Sequence, residues 1–165
     1  MVQLLQVVAI LTVAVAMALS LAHALELHGK MRLSREHYLA VQPIYYPGFS
    51  VGGMAEPLGI ALLIVLLFLL PTGDIAFWLT AGALLSLLAM HAAYWLLTHP
   101  VNNFWLKDVD LKGAGARFFA FASAGRKDGV DASWTNLRDQ WEISHVVRAV
   151  FGFLSLLLLA TAVAF

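Results

Sequence analysis

The sequence predicts an all-α fold, an integral membrane four-helix bundle running up-down-up-down. Three observations predict it: four long apolar segments, a hydrophobic content of 61% over 165 residues, and only 12% charged residues. A water-soluble domain is about 45–50% apolar and about a quarter charged, and a chain this short has too little interior to hide the excess. A bilayer is the solvent that suits it. The ten Lys and Arg balance the ten Asp and Glu, so there is no basic excess to recruit nucleic acid. The chain has no Cys, which excludes disulfides, thiolate metal sites, iron-sulfur clusters and cysteine nucleophiles.

The first span is expected over residues 2–27, where Gln3, Gln6, Thr12, Ser20, His23 and Glu26 alone interrupt apolar sequence. About 20 apolar residues cross a hydrocarbon core of about 30 Å, so this segment is long enough. Ala22, His23 and Ala24 resemble a signal-peptide cleavage site, but no Lys or Arg precedes Lys30, and a signal peptide carries a basic leading region. The second span is expected over 54–70, with Pro57 suited to a first helical turn and Pro71 and Gly73 closing it. Asp74 is placed to cap a third span over 75–98, ended by His99 and Pro100. The fourth, over 134–164, exceeds what a membrane requires. Its first turns are expected in the headgroup region, with Trp134 and Trp141 as interfacial anchors.

The turn from Pro71 to Asp74 is tight, and the other two connections are long. In the first, Ser34 can cap a short amphipathic helix from Arg35 to Gln42 that Pro43 stops, followed by an aromatic run from Ile44 to Phe49. The second, Val101 to Ala132, mixes Trp105, Phe118, Phe119 and Phe121 with Lys107, Lys112 and Arg117. Both compositions suit short helices lying at a membrane interface. Lys30, Arg32 and Arg35 adjoin the first connection, and the other basic residues lie between Lys107 and Arg148. By the positive-inside rule that face is cytoplasmic and both termini are on the opposite side.

Ionisable residues at hydrophobic depth are costly without a partner and therefore mark function. His23 and Glu26 stand late in the first span, Glu56 opens the second, His91 is late in the third, and Glu142 and His145 are early in the fourth. The topology brings all of them toward one end as a single layer. Glu142 and His145 form a Glu-x-x-His pair, and His23 with Glu26 is the same spacing in reverse; residues three apart share a helix face. Bundles with carboxylate-bridged metals use two such motifs and two further carboxylates, a pattern matched here in part. Nitrogen and oxygen donors without sulfur suit iron first, then copper, manganese or zinc. Haem is the alternative cofactor, since two His on facing helices can supply both axial ligands. Ala16 and Ser20 share a face with His23, as Ala149 and Gly152 do with His145, and small residues let helices approach closely.

Each of these residues also has a plainer role available. Glu26 can pair with Lys30, Glu142 with Arg138, and Glu56 can favour its own helix start. The histidines can be satisfied core residues, which would make the chain a non-catalytic membrane subunit or assembly factor with a structural polar layer. His28 and His37 read as solvated. His99 either ends the third span or joins the layer. Arg148 is a snorkelling side chain or a counter-charge for Glu56, Glu26 or an anionic substrate. Tyr45, Tyr46 and Trp141 can line a pocket for a quinone or another aromatic substrate, or anchor the interface.

The four-span layout, with His-Pro-Val-Asn-Asn at His99 to Asn103 directly after the third span, resembles the anthrone-oxygenase-like family of small integral membrane proteins. Pro100, Asn102 and Asn103 match the family's Pro-x-Asn-Asn element, and Ala22 to Leu33 resembles the end of the first span in bacterial members. The resemblance implies oxygen-dependent oxidation of a hydrophobic aromatic compound and, through the bacterial members, a bacterial inner membrane. Asn102 and Asn103 can equally satisfy free carbonyls at a helix end. The expected function is thus a membrane-embedded, metal-dependent oxidoreductase, an oxygenase in the family's manner, with a haem electron carrier as the alternative. Its expected partners are the bilayer, a lipophilic small molecule, and further copies of the chain or a membrane complex.

Overall fold

A computed structural model describes residues 1–105 and 134–165, with side chains through 102 in the first stretch. The described elements are all helical: α1 (Val2–Lys30), α2 (Arg35–Val41), a 3₁₀ turn (Gln42–Tyr45), α3 (Gly48–Gly52), α4 (Ala55–Leu69), α5 (Ile75–Ala93), a π turn (Tyr94–Thr98), α6 (His99–Trp105) and α7 (Trp134–Ala164). The expected interfacial helix of the second connection, with Trp105 to Ala132, falls on residues or side chains outside those described.

Among the described residues four helices are long and apolar enough to cross a membrane: Val2–Lys30, Gly48–Leu69, Ile75–Asn102 and Trp134–Ala164. Their outward faces carry Leu4, Leu11, Phe68, Trp78 and Phe153, each more than half exposed. Such a surface is stable against lipid and not against water. Inside, α1 packs on α4 and α7, and α5 packs on the same two helices. The shared core holds Ala9, Val13, Leu63, Leu66, Leu87 and Leu159.

Small residues permit the close approaches. A Cβ on Gly152 would lie 3.1 Å from the Met17 Cα, and one on Gly59 would lie 3.1 Å from Leu87. Ala16, Ser20 and His23 are all buried, as are His145, Ala149 and Gly152, so the small-residue faces do carry the two histidines inward.

The third span departs from expectation. It does not end at His99 and Pro100 but continues through a π turn into α6. The extra residue of a π turn relieves the helix ahead of the proline. Pro100 follows the π turn and its cap His99, whose N–H bonds back to the Tyr94 carbonyl, so the shift in pairing coincides with the N–H that proline lacks. Asp74 occupies the N-cap of α5 without a side-chain bond; its backbone carbonyl accepts from Phe77 N instead, at 3.1 Å. Ser34 caps α2 as expected, accepting from His37 N.

Candidate functional site

The end of the bundle where α1 finishes and α7 begins holds a cavity of about 360 Å³. Five of the spans' candidate residues line it, namely His23, Glu56, His91, His145 and Arg148, together with the aromatic Tyr45, Tyr46 and Trp141. Glu26 and Glu142 do not line it.

His23 and His145 touch. Their ring centroids are 4.3 Å apart, and His23 is boxed further by Tyr45 at 4.4 Å, Phe49 at 4.6 Å and Trp141 at 4.9 Å. Both are nearly sealed, at 4% and 3% exposure. Hydrogen bonds at Nδ1 assign a tautomer to each ring. The Lys30 ammonium donates to His23 Nδ1 at 3.2 Å, so the His23 proton is on Nε2. His145 Nδ1 is 2.8 Å from the Trp141 carbonyl oxygen, which only accepts, so His145 carries its proton on Nδ1 and keeps the Nε2 lone pair. The cavity therefore receives one N–H donor and one nitrogen base, side by side.

Lys30 is itself buried. It sits over the Tyr45 ring at 4.6 Å and the Trp141 ring at 4.8 Å. Its Nζ is 2.8 Å from Glu26 Oε2 and 3.8 Å from Glu142 Oε1. Tyr45 donates to Glu26 at 2.7 Å and Tyr38 to Glu142 at 2.8 Å. Burial, followed by the neighbouring Glu142 carboxylate, pushes the Tyr38 hydroxyl well above its ordinary range; burial and the Glu26 bond do the same to Tyr45. Both phenols thus stay protonated as donors.

A second polar group faces the cavity from α4, α5 and α7. Trp95 Nε1 donates to His91 Nε2 at 3.0 Å, which puts the His91 proton on Nδ1, where it meets Glu56 Oε1 at 2.9 Å. Arg148 donates to the other Glu56 oxygen at 2.8 Å and stacks over Tyr94 at 5.1 Å.

The layer expected from sequence therefore divides in two. Glu142 does not pair with Arg138, which turns to Asp139 at 2.8 Å and stacks on Trp134, because Lys30 and Tyr38 reach the carboxylate from the packed side. His99 is buried against Trp95 at 4.8 Å and lines no part of the cavity. Asn102 lines it and accepts from Trp141 Nε1 at 2.7 Å, while the Asn103 side chain lies outside those described. His28 and His37 are exposed, as expected of solvated residues. Sequence reasoning missed Tyr38, Phe49 and the central place of Lys30. The signal for Lys30 was available: it stands seven residues after His23, two turns along the same face.

The residues expected to hold a metal do not converge as one set. Both His91 nitrogens and both Glu56 oxygens are engaged, His23 presents N–H to the cavity, and Glu26 is held by a cation. Among the described residues no three His, Asp or Glu side chains gather to hold a metal ion. Of the two histidine pairs that could ligate a haem, His23 with His145 and His23 with His91, the first is in ring contact at 4.3 Å. No protein-family model, curated protein or solved structure matches this chain.

Proposed function

We propose that this chain is a multi-pass oxidoreductase of the bacterial inner membrane that acts on a lipophilic aromatic substrate at the cytoplasmic end of an up-down-up-down bundle. Both termini then lie on the non-cytoplasmic side, and α2 lies at the interface. The alternating course is supported by Gly59 meeting Val13 while Gly52 meets Leu19, so that α1 and the second span pass in opposite senses.

One observation carries the chemical reading: the His23–His145 pair, donor beside base, in a cavity with aromatic walls. His145 Nε2 is free to take a proton from an acidic C–H or O–H of the substrate. His23 Nε2–H is free to bond the substrate oxygen where negative charge develops. General acid–base groups of this kind contribute about 10²–10⁴-fold, and a fixed donor works best where water is excluded. The carbanion so formed would add molecular oxygen, the oxidant implied by the family resemblance; the resulting peroxide anion takes the proton back from His145 and loses water, so that the methylene becomes a carbonyl. No step is assigned to iron, copper, manganese, zinc or haem. The ion cluster of Lys30, Glu26 and Glu142 favours a structural reading for that half of the polar layer.

The test uses the purified protein in nanodiscs with an anthrone, a tricyclic ketone bearing an acidic methylene, under air. Wild type should consume oxygen, and His145→Ala should not. An inactive wild type removes the oxidase reading. Stoichiometric metal in the wild type that is lost in the His23→Ala, His145→Ala double variant replaces the acid–base assignment with a metal site.

A further inference from the structure

The cavity has two polar poles and an opening on one side. His23 and His145 form one pole; Arg148, bonded to Glu56, forms the other. His145 and Arg148 are three residues apart on α7 and share a face. Each pole offers a donor. His23 presents Nε2–H, and the Arg148 guanidinium, which lines the cavity, gives one nitrogen to Glu56 and has further N–H donors.

The walls restrict the head further. Tyr45, Phe49 and Trp141 stack around His23, which suits a flat ring. Arg148 is neutralised by Glu56, and Lys30 by Glu26, so no spare positive charge awaits a carboxylate or phosphate. A neutral ring with acceptor oxygens is favoured over a fatty acid or a phospholipid head. Among the lining residues, Met54, Pro57 and Trp95 are exposed. All three belong to the second and third spans, so the cavity opens sideways between them, toward lipid.

We propose that the cavity seats the head of a tail-bearing quinone, inserted sideways from the bilayer between α4 and the end of the third span, one carbonyl at His23 and the other at Arg148. The inference rests on the reading that this cavity takes a lipophilic aromatic substrate, and it names the class. At the histidine pole both redox forms can be met, since His23 Nε2–H donates to a carbonyl and His145 Nε2 can accept from a hydroquinone's hydroxyl.

The experiment follows quenching of intrinsic tryptophan fluorescence in nanodiscs by decylbenzoquinone, with concentrations referred to the bilayer. Saturable binding is expected, at least tenfold tighter than that of decylbenzene, and weakened about tenfold in Arg148→Met and in His23→Ala. Decylbenzene competing on equal terms overturns the proposal, and this comparison needs only the wild type should a variant fail to fold. Unchanged binding in both folded variants overturns it as well, and tail-less benzoquinone binding equally well overturns the sideways seat. Quinone binding without oxygen uptake on any aromatic substrate leaves the quinone site standing and removes the oxidase reading. Oxygen uptake that no quinone inhibits does the reverse.

Discussion

Lys30 Nζ lies 3.2 Å from His23 Nδ1, seven residues earlier on the same helix. This contact decides which nitrogen of His23 faces the cavity as a donor. A histidine's free nitrogen is set by the bond its other nitrogen makes, and an ammonium leaves no choice. Glu26 and Glu142 hold the ammonium in place, at 2.8 and 3.8 Å, and their second partners are Tyr45 and Tyr38. A cluster that reads as structural thus sets the chemistry of the cavity next to it.

Lys30→Met should free that tautomer. In ¹⁵N-histidine NMR of the wild type, His23 should appear with Nε2 protonated; in the variant it should become a mixture of the two neutral forms. The substitution also strands Glu142, which is 0% exposed, and removing one partner of a buried pair costs about 3–5 kcal/mol. The double change Lys30→Met, Glu142→Gln should recover part of that loss in detergent melts. A single dominant Nε2–H signal in Lys30→Met would show that Lys30 does not control the ring.

His145→Ala should lower turnover of a lipophilic aromatic substrate by about 10²–10⁴-fold, with the fold retained by circular dichroism. Because the two rings act as a unit, adding His23→Ala should cost little more. Multiplicative losses in the double variant would mean that the residues act independently.

The spans were legible because a bilayer demands long apolar helices, and the pattern of small residues before His23 and after His145 correctly indicated their inward faces. The third span's end was misread because Pro100 signals a stop, and a π turn that repositions it at the start of α6 leaves no mark in the sequence. Depth in the membrane could be read residue by residue, so the polar layer was visible as a layer. Its division could not be. The Glu26–Lys30 pair was legible from its spacing of four, but the partner of Glu142 depends on α2 folding back to deliver Tyr38, a contact 104 positions apart in the chain, whereas local spacing offered Glu142 only Arg138.

The Tyr38–Glu142 bond predicts loss of stability in alkali. An unfolded tyrosine ionises near about 10, whereas burial and the adjacent carboxylate hold folded Tyr38 protonated well beyond that. Above about pH 10 the folded state therefore binds more protons than the unfolded one, and stability falls as pH rises. Below about 10 the contribution is complete. Melting temperatures measured from about pH 9 to 11 should fall more steeply in the wild type than in Tyr38→Phe; parallel slopes would remove Tyr38 as the source.

The approach of α1 to α7 sets the distance between the two histidines, and two glycines separate that effect from helix propensity. A Cβ on Gly152 would stand 3.1 Å from the Cα and Cβ of Met17, so backbone must move. On Gly82 it would meet only the Leu158 Cδ1 at 3.2 Å, the end of a side chain that can rotate. Replacing a helical Gly by Ala gains about 1 kcal/mol of propensity at either position, but overpacking against a fixed helix costs about 1–3 kcal/mol. Gly82→Ala should therefore melt at or above the wild-type temperature and Gly152→Ala below it. Gly152→Ala should also reduce turnover, because moving α1 outward separates His23 from His145. A Gly152→Ala protein as stable and as active as Gly82→Ala would show that the helices have slack at this contact and that the histidine pair does not depend on it.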